Sequence, residues 1–251
     1  MVKHEIVGDD MQAVIISMTS GDVIRAEAGA MMYMTDGVEM DAKMDGGLLG
    51  GLKRKFLSGE SFFITYFRCQ TASARVAFAG PYPGKIIPLS LSPGRTVLCQ
   101  KDAFLCAVGD VDISIAFTRR IGAGFFGGEG FILQKLEGNG QAFIHSGGTI
   151  VEMTLAPGEH LRVDTGCLVA FDQTVTYDIE RVGGIKTSLF GGEGLFFASM
   201  TGPGCLWLQT LPFSRLADRI HAAYRGDRED VKRDVGGLLG GLGDLIGGDR
   251  R

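Results

Sequence analysis

Three segments of this chain align with one another without gaps, and that internal repetition constrains the fold more than any other feature. They are QAVIISMTSGDVIRAEAGAMMYMTDGVEMDA from Gln12, KIIPLSLSPGRTVLCQKDAFLCAVGDVDISI from Lys85 and TIVEMTLAPGEHLRVDTGCLVAFDQTVTYDI from Thr149, at offsets of 73 and then 64 residues. Gly21, Gly94 and Gly158 coincide at a turn that follows an apolar run. Val38, Met40 and Ala42 match Val111, Ile113 and Ile115, which match Val175, Tyr177 and Ile179, with the polar Glu39, Asp112 and Thr176 between them. This period-two alternation describes a strand with one wet and one dry face, and predicts Val38, Val111 and Val175 facing inward at equivalent positions.

A second landmark follows in each copy. SGESFF at Ser58, GGEGFI at Gly127 and GGEGLF at Gly191 bring Glu60, Glu129 and Glu193 into register. Behind the last two, GNGQAFIH and GPGCLWLQ coincide again at 64 residues, so the repeat runs to at least Leu208. Helical periodicity is missing until about Ser214. The expected fold is therefore all-β, with three tandem repeats over about 1–80, 81–146 and 147–213 in one continuous domain. Residues 214–251 form a separate C-terminal stretch.

The repeats also dispose of a false lead. Gly122, Gly124 and Gly127 have the G-x-G-x-x-G spacing of a dinucleotide loop, but that loop works by opening a helix whose N-terminus approaches pyrophosphate. Here GGEGFILQKLEGNG follows, too rich in glycine for a reliable helix. The third copy has Lys186 and Ser188 where the second has Gly122 and Gly124. Only the Gly-Gly-Glu-Gly turn recurs, which makes the glycines architectural.

Composition narrows the function classes. A net charge of −4 argues against a nucleic-acid partner, since such binding rests on clustered Lys and Arg. The five cysteines, Cys69, Cys99, Cys106, Cys167 and Cys205, contain no C-x-x-C pair and read as small buried hydrophobes in a reducing compartment. The N-terminus lacks the pattern of a signal peptide, and no apolar run approaches the roughly 20 residues that span a bilayer. A cytoplasmic location is the expectation.

Candidate chemistry is sparse. The four histidines, His4, His145, His160 and His221, include no His-x-His pair, and no G-x-S-x-G elbow exists. His145 and His160 could meet across neighbouring strands, although surface or capped histidines fit the pattern better. Glu60, Glu129 and Glu193 could line a pseudo-threefold axis and bind a cation. Their recurrence in every copy fits better with carboxylates that accept N–H groups of their own glycine turns or pair with a neighbouring Lys or Arg. No catalytic residue, nicotinamide, flavin or catalytic metal is expected.

The C-terminal stretch departs from the repeats. SRLADRIHAAYR, with Ser214 as its N-cap, places Leu216, Ala217, Ile220, Ala223 and Tyr224 on one face of a short amphipathic helix. Beyond it, GGLLGGL at Gly236 is identical to the heptapeptide at Gly46. Leu238, Leu239, Leu242, Leu245 and Ile246 keep helical spacing, yet each glycine costs about 1 kcal/mol of helix stability relative to alanine. The segment needs a surface to fold against: its own or a neighbouring subunit, a protein partner or a membrane face.

GGLLGGLKRKFLSGESFF from Gly46 to Phe63, with the later GGEGF and GGEGLFF turns, resembles the family of the altered-inheritance-of-mitochondria proteins and their uncharacterised bacterial relatives, over roughly residues 1–212. The resemblance implies a β fold similar to the trp RNA-binding attenuation protein, a variety of double-stranded β-helix, often assembled into trimers. It also implies kinship with scaffolding factors of inner-membrane organisation, and supplies no catalytic residues. The expectation is a non-enzymatic scaffold or partner-binding homotrimer. The alternative is a small-molecule or RNA binding module that uses pockets between repeats or subunits.

Overall fold

The computed structural model describes residues 2–44, 63–119, 131–182 and 195–224, and the chain divides into two compact bodies, Met1–Pro212 and Phe213–Arg251. The first body is built from strands. After β1 (His4–Val7), the first repeat contributes β2 (Ala13–Met18), β3 (Val23–Glu27), β4 (Met31–Met34), β5 (Val38–Met44), β6 (Phe63–Cys69) and β7 (Ala74–Ala79). The second contributes β8 (Gly84–Leu91), β9 (Val97–Gln100), β10 (Phe104–Arg119) and β11 (Phe131–Gly147). The third contributes β12 (Ile150–Leu155), β13 (His160–Asp164), β14 (Leu168–Asp172), β15 (Thr176–Val182), β16 (Leu195–Thr201) and β17 (Gly204–Gln209).

One antiparallel pairing scheme recurs in all three. In the first repeat β2 and β4 flank β7, while β3 and β5 flank β6. In the third, β12 and β14 flank β17, while β13 and β15 flank β16. The middle repeat reaches the same scheme with two long strands. β8 and the first half of β10 flank the second half of β11, and β9 and the rest of β10 flank its first half. Registers agree as well: Ala13↔Ala79, Ile86↔His145 and Ile150↔Gln209 occupy one place in the three ladders. So do the irregularities between Met31 and Tyr33, between Phe104 and Cys106, and between Leu168 and Ala170. Each inserts one extra residue, Met32, Leu105 or Val169, and so bends the strand that carries it.

The turn glycines do what their alignment predicts. Gly21, Gly94 and Gly158 have φ of 90°, 89° and 77°, the left-handed region that glycine enters without a Cβ penalty. The residue after the glycine closes the turn in two of the copies. Asp22 accepts from Thr19 N and Oγ1 at 2.7 and 2.9 Å, and Glu159 accepts from Ala156 N at 2.8 Å.

Apolar side chains gather in three clusters strung along the row of repeats. One joins Val14, Ile16, Ile24 and Phe78 to Ile86, Leu105, Cys106 and Phe143. The next surrounds Leu89, Val97, Val111, Ile113 and Leu136, with Ile64 from the first repeat and Trp207 from the third. The last joins Leu98, Phe131 and Leu133 to Leu168, Phe171, Ile179 and Leu206.

The predicted dry face holds only in part. Val111 and Val175 are buried, but Val38 is half-buried, Met40 is exposed, and Ile115 reaches the surface. Ile113 is covered because the first repeat packs Ile64 and Tyr66 into its cluster, and Tyr177 is half-covered by Phe117, whose ring lies 5.8 Å away. Among the described residues nothing covers Met40 in the same way. In the second body a helix, α1, runs over 213–224. Ser214 lies inside its first turn instead of capping it, and Ile220 and Tyr224 are exposed.

Candidate functional site

The geometry points to the seams between repeats. At each seam the third strand of one repeat pairs with the second strand of the repeat before it. β10 meets β3 through Cys106↔Ala26, Ala107↔Arg25 and Val108↔Ile24. β14 meets β9 through Ala170↔Cys99, Phe171↔Leu98 and Asp172↔Val97. The two sets superpose residue for residue at the offsets of the sequence alignment.

Polar side chains fasten each seam at its rim. At the first, Arg25 Nη1 donates to Gly109 O at 2.9 Å while its guanidinium lies 5.9 Å from the Tyr66 ring centroid. At the second, Arg95 Nη2 pairs with Asp172 Oδ1 at 3.3 Å and Arg95 Nη1 donates to Ser90 O at 2.9 Å. Asp172 Oδ2 also accepts from Cys205 N at 3.1 Å, and Gln173 N donates to Thr96 O at 3.0 Å. Deeper in this seam, Gln100 Nε2 donates to Thr165 O at 2.6 Å. Gln209 donates to Gly166 O and accepts from Gly147 N, each at 2.8 Å. These pairings satisfy amides that burial would otherwise penalise.

Gly94, Arg95, Thr96, Asp172, Gln173 and Thr174 line a cleft of about 530 Å³ at the rim of the second seam. It offers one guanidinium, one carboxylate, an amide and two hydroxyls in partly solvated surroundings. Such a lining can hold a small polar ligand by hydrogen bonds. It brings together no nucleophile and base.

The row of repeats has two open ends. β4 closes one end of the sheet β1-β2-β7-β4, and β13 closes one end of the sheet β13-β16-β15. Among the described residues, neither has a ladder on its second edge. β4 is the third strand of its repeat and β13 the second strand of its own. These are the two strand types that the internal seams join.

Burial explains the electrostatics of the interior. It pushes the Cys99 and Cys106 thiols well up, which keeps them protonated and poorly nucleophilic. Tyr82 is pushed up to about 12, first by burial and then by the nearby Asp102 carboxylate. His145, whose ring centroid lies 4.7 Å from that of Tyr82, is lowered by burial against a smaller upward push from a hydrogen bond to the Tyr82 backbone.

The residues singled out from sequence fall largely elsewhere. Glu60, Glu129 and Glu193 lie outside the described residues, as do Leu238, Leu239, Leu242, Leu245 and Ile246. His145, expected at the surface or capped, is buried, its ring lying against Gly80 and 4.7 Å from that of Tyr82. His160 is exposed on β13, its Nδ1 2.9 Å from Thr201 Oγ1, and the two histidines lie in different sheets. Among the described residues no group of three His, Cys, Asp or Glu is placed to hold a metal. The seams nevertheless have a signal in the sequence: MMYM, FLCA and LVAF, at Met31, Phe104 and Leu168, are apolar runs at the offsets of the repeat alignment that period-two alternation does not explain.

Comparisons with known proteins agree with this architecture. A family profile described as Mitochondrial biogenesis AIM24 matches residues 4–211. An uncharacterised protein of Streptococcus pyogenes serotype M6 is 30% identical over 212 residues, covering 82% of this chain and 84% of that protein. The crystal structure of a Streptococcus pyogenes protein superposes with a TM-score of 0.73 at 26% identity, covering 89% of this chain and 100% of that one.

Proposed function

Since the chain belongs to the Mitochondrial biogenesis AIM24 family, we propose that it acts without catalysis, as a self-associating scaffold that binds a protein partner. The observation that carries this is the open row of repeats. Strand types whose edges are paired twice inside the chain have, among the described residues, no second ladder at β4 and β13, and β4 is apolar. Unpaired edges recruit further strands, and homo-oligomers are the common way of closing them. A homotrimer in the cytoplasm, with Leu238, Leu239, Leu242, Leu245 and Ile246 contacting a protein or a membrane surface, completes the proposal. Among the described residues no helix is long and apolar enough to cross a membrane. The net charge of −4 disfavours nucleic acid as the partner.

A second use is favoured by one feature, the cleft between Arg95 and Asp172, whose lining suits a small polar ligand. Light scattering on the purified chain, with mass spectrometry of what co-purifies from the native host, tests both. An assembled chain carrying a stoichiometric protein supports the scaffold. A stable single chain with a bound small molecule supports the cleft. Turnover of that molecule would overturn the non-enzymatic reading.

A further inference from the structure

The two internal seams share a backbone and differ in the side chains at their rims. Ahead of β9 the second repeat carries Gly94, Arg95 and Thr96, where the first repeat carries Gly21, Asp22 and Val23. Across the second seam Asp172 and Gln173 stand where the first seam has Val108 and Gly109. Val108 is buried, and Asp22 is engaged by Thr19 of its own turn. The first seam is fastened at its rim by Arg25 on a backbone carbonyl, so a seam does not require an ion pair. The second has polar groups at two apolar positions and one glycine, and there the cleft of about 530 Å³ opens. That volume falls within the roughly 300–1,000 Å³ of small-molecule sites.

The charges at this cleft come in pairs. Arg95 Nη2 lies 3.3 Å from Asp172 Oδ1, and Lys135 Nζ lies 2.6 Å from Glu137 Oε1, whose carboxylate also accepts from Thr96 Oγ1 at 3.5 Å. An entering ion would meet a like charge beside each opposite one and gain little net attraction. Hydrogen-bonding capacity, by contrast, is left over. The side chains of Gln173 and Thr174 are exposed, and Arg95 engages only two of its N–H donors, with Ser90 O and Asp172. Among the described residues that line the cleft none is aromatic, so a flat base would find no ring to stack on.

We propose that this cleft binds a neutral polyhydroxylated ligand, a mono- or disaccharide. The inference rests on the reading of the cleft as a small-ligand site and names its ligand class. A hydroxyl both donates and accepts, so one ligand hydroxyl can accept from Arg95 and donate to Asp172, while its neighbour uses the Gln173 amide and the Thr174 hydroxyl. The ion pair is held from behind by two strands: Ser90 O of β8 accepts from Arg95, and Cys205 N of β17 donates to Asp172 Oδ2 at 3.1 Å. The pair is therefore oriented before the ligand arrives, which lowers the ordering cost of binding.

Gly94 supplies a steric test. It lines the cleft, its φ is 89°, and a Cβ added to it would meet nothing within 4 Å. Gly21 has the same geometry at the seam that lacks the Arg–Asp pair. Asparagine tolerates this region of φ, so Gly94→Asn places a side chain at the cleft, and Gly21→Asn makes the same backbone change away from it.

Ligand-observed NMR and isothermal titration on the full chain decide the matter, with glucose, galactose, N-acetylglucosamine, maltose and lactose as neutral probes. Glucuronate and glucosamine are the charged counterparts. At least one neutral sugar is expected to bind with Kd on the order of 1 mM or tighter, and about tenfold more tightly than either charged probe. Gln173→Ala, an exposed substitution that leaves the ion pair in place, is expected to weaken it by about three- to tenfold. Gly94→Asn should weaken it at least as much, and Gly21→Asn should leave it unchanged. If Gly94→Asn fails to fold, Gln173→Ala still gives the answer. A neutral sugar whose binding survives both cleft substitutions undiminished overturns the site. Glucuronate or glucosamine binding that the cleft substitutions weaken, with no neutral sugar bound, overturns the ligand class and leaves the cleft as a small-ligand site. Binding by none of the probes overturns both.

Discussion

Gly80 lies against the imidazole of His145, so close that a Cβ placed on the glycine would overlap His145 Cδ2 and Nε2. The ring is buried between Gly80 and Tyr82 and has little room to retreat. Gly80→Ala is expected to destabilise the fold by about 1–3 kcal/mol through overpacking. In a double-mutant cycle with His145→Ala, read by urea unfolding, the two losses should be strongly non-additive, the second substitution relieving the first. Additive losses would place the strain elsewhere.

The same histidine sets an acid limb. Its folded-state pKa is lowered by burial, so the unfolded chain takes up the proton first as pH falls. The contribution of neutral His145 is intact above the unfolded value of about 6.5 and is lost below it, by at most about 1.4 kcal/mol per pH unit. Substituting glutamine, which the third repeat carries at the equivalent Gln209, should flatten the dependence between pH 7 and pH 5. An unchanged slope would assign the limb to other groups.

Gly21, Gly94 and Gly158 share a left-handed φ, and a Cβ on any of them would meet nothing within 4 Å. Substitution by alanine is then pure backbone strain, about 1–2 kcal/mol at each position. Asparagine should cost less, because its side chain tolerates this region. Thermal unfolding that ranks the three sites widely apart would show that the turns are not equivalent.

Thiol labelling should follow burial. Cys69, Cys99 and Cys106 are buried, while Cys167 and Cys205 are partly exposed. Iodoacetamide mapped by mass spectrometry is expected to reach Cys167 or Cys205 first, and Cys99 and Cys106 only on unfolding. Fast labelling of Cys99 in the native protein would contradict its packing.

Much of this fold was legible because turn chemistry and strand period are local properties. A glycine at Gly21, Gly94 or Gly158 and the alternation through Val111 and Ile113 report on their own few residues. Context was harder to read. Met40 aligns with Ile113 and has the same apolar character, yet exposure depends on what packs over each, and Ile64 and Tyr66 reach only the cluster of Ile113. The bulge at Met32 was hidden for a related reason. An extra residue breaks alternation, so an apolar run such as MMYM resembles a strand buried on both faces. The candidate carboxylates and the leucines of the tail came from recurrence and spacing, which identify a pattern without supplying the surfaces around it.

The direction of the seams ties assembly to the order of translation. Every repeat lays its third strand on a second strand that is already made, so a nascent chain can dock each repeat as it emerges. The first repeat is the exception, for among the described residues β4 pairs with β7 alone. A ribosome product that stops before Ile150 leaves one edge of β9 bare, because β14, the strand that covers it, belongs to the last repeat. Such a fragment would carry an unpaired edge open to stray strand pairing, so the last repeat shields the one before it as well as completing the fold.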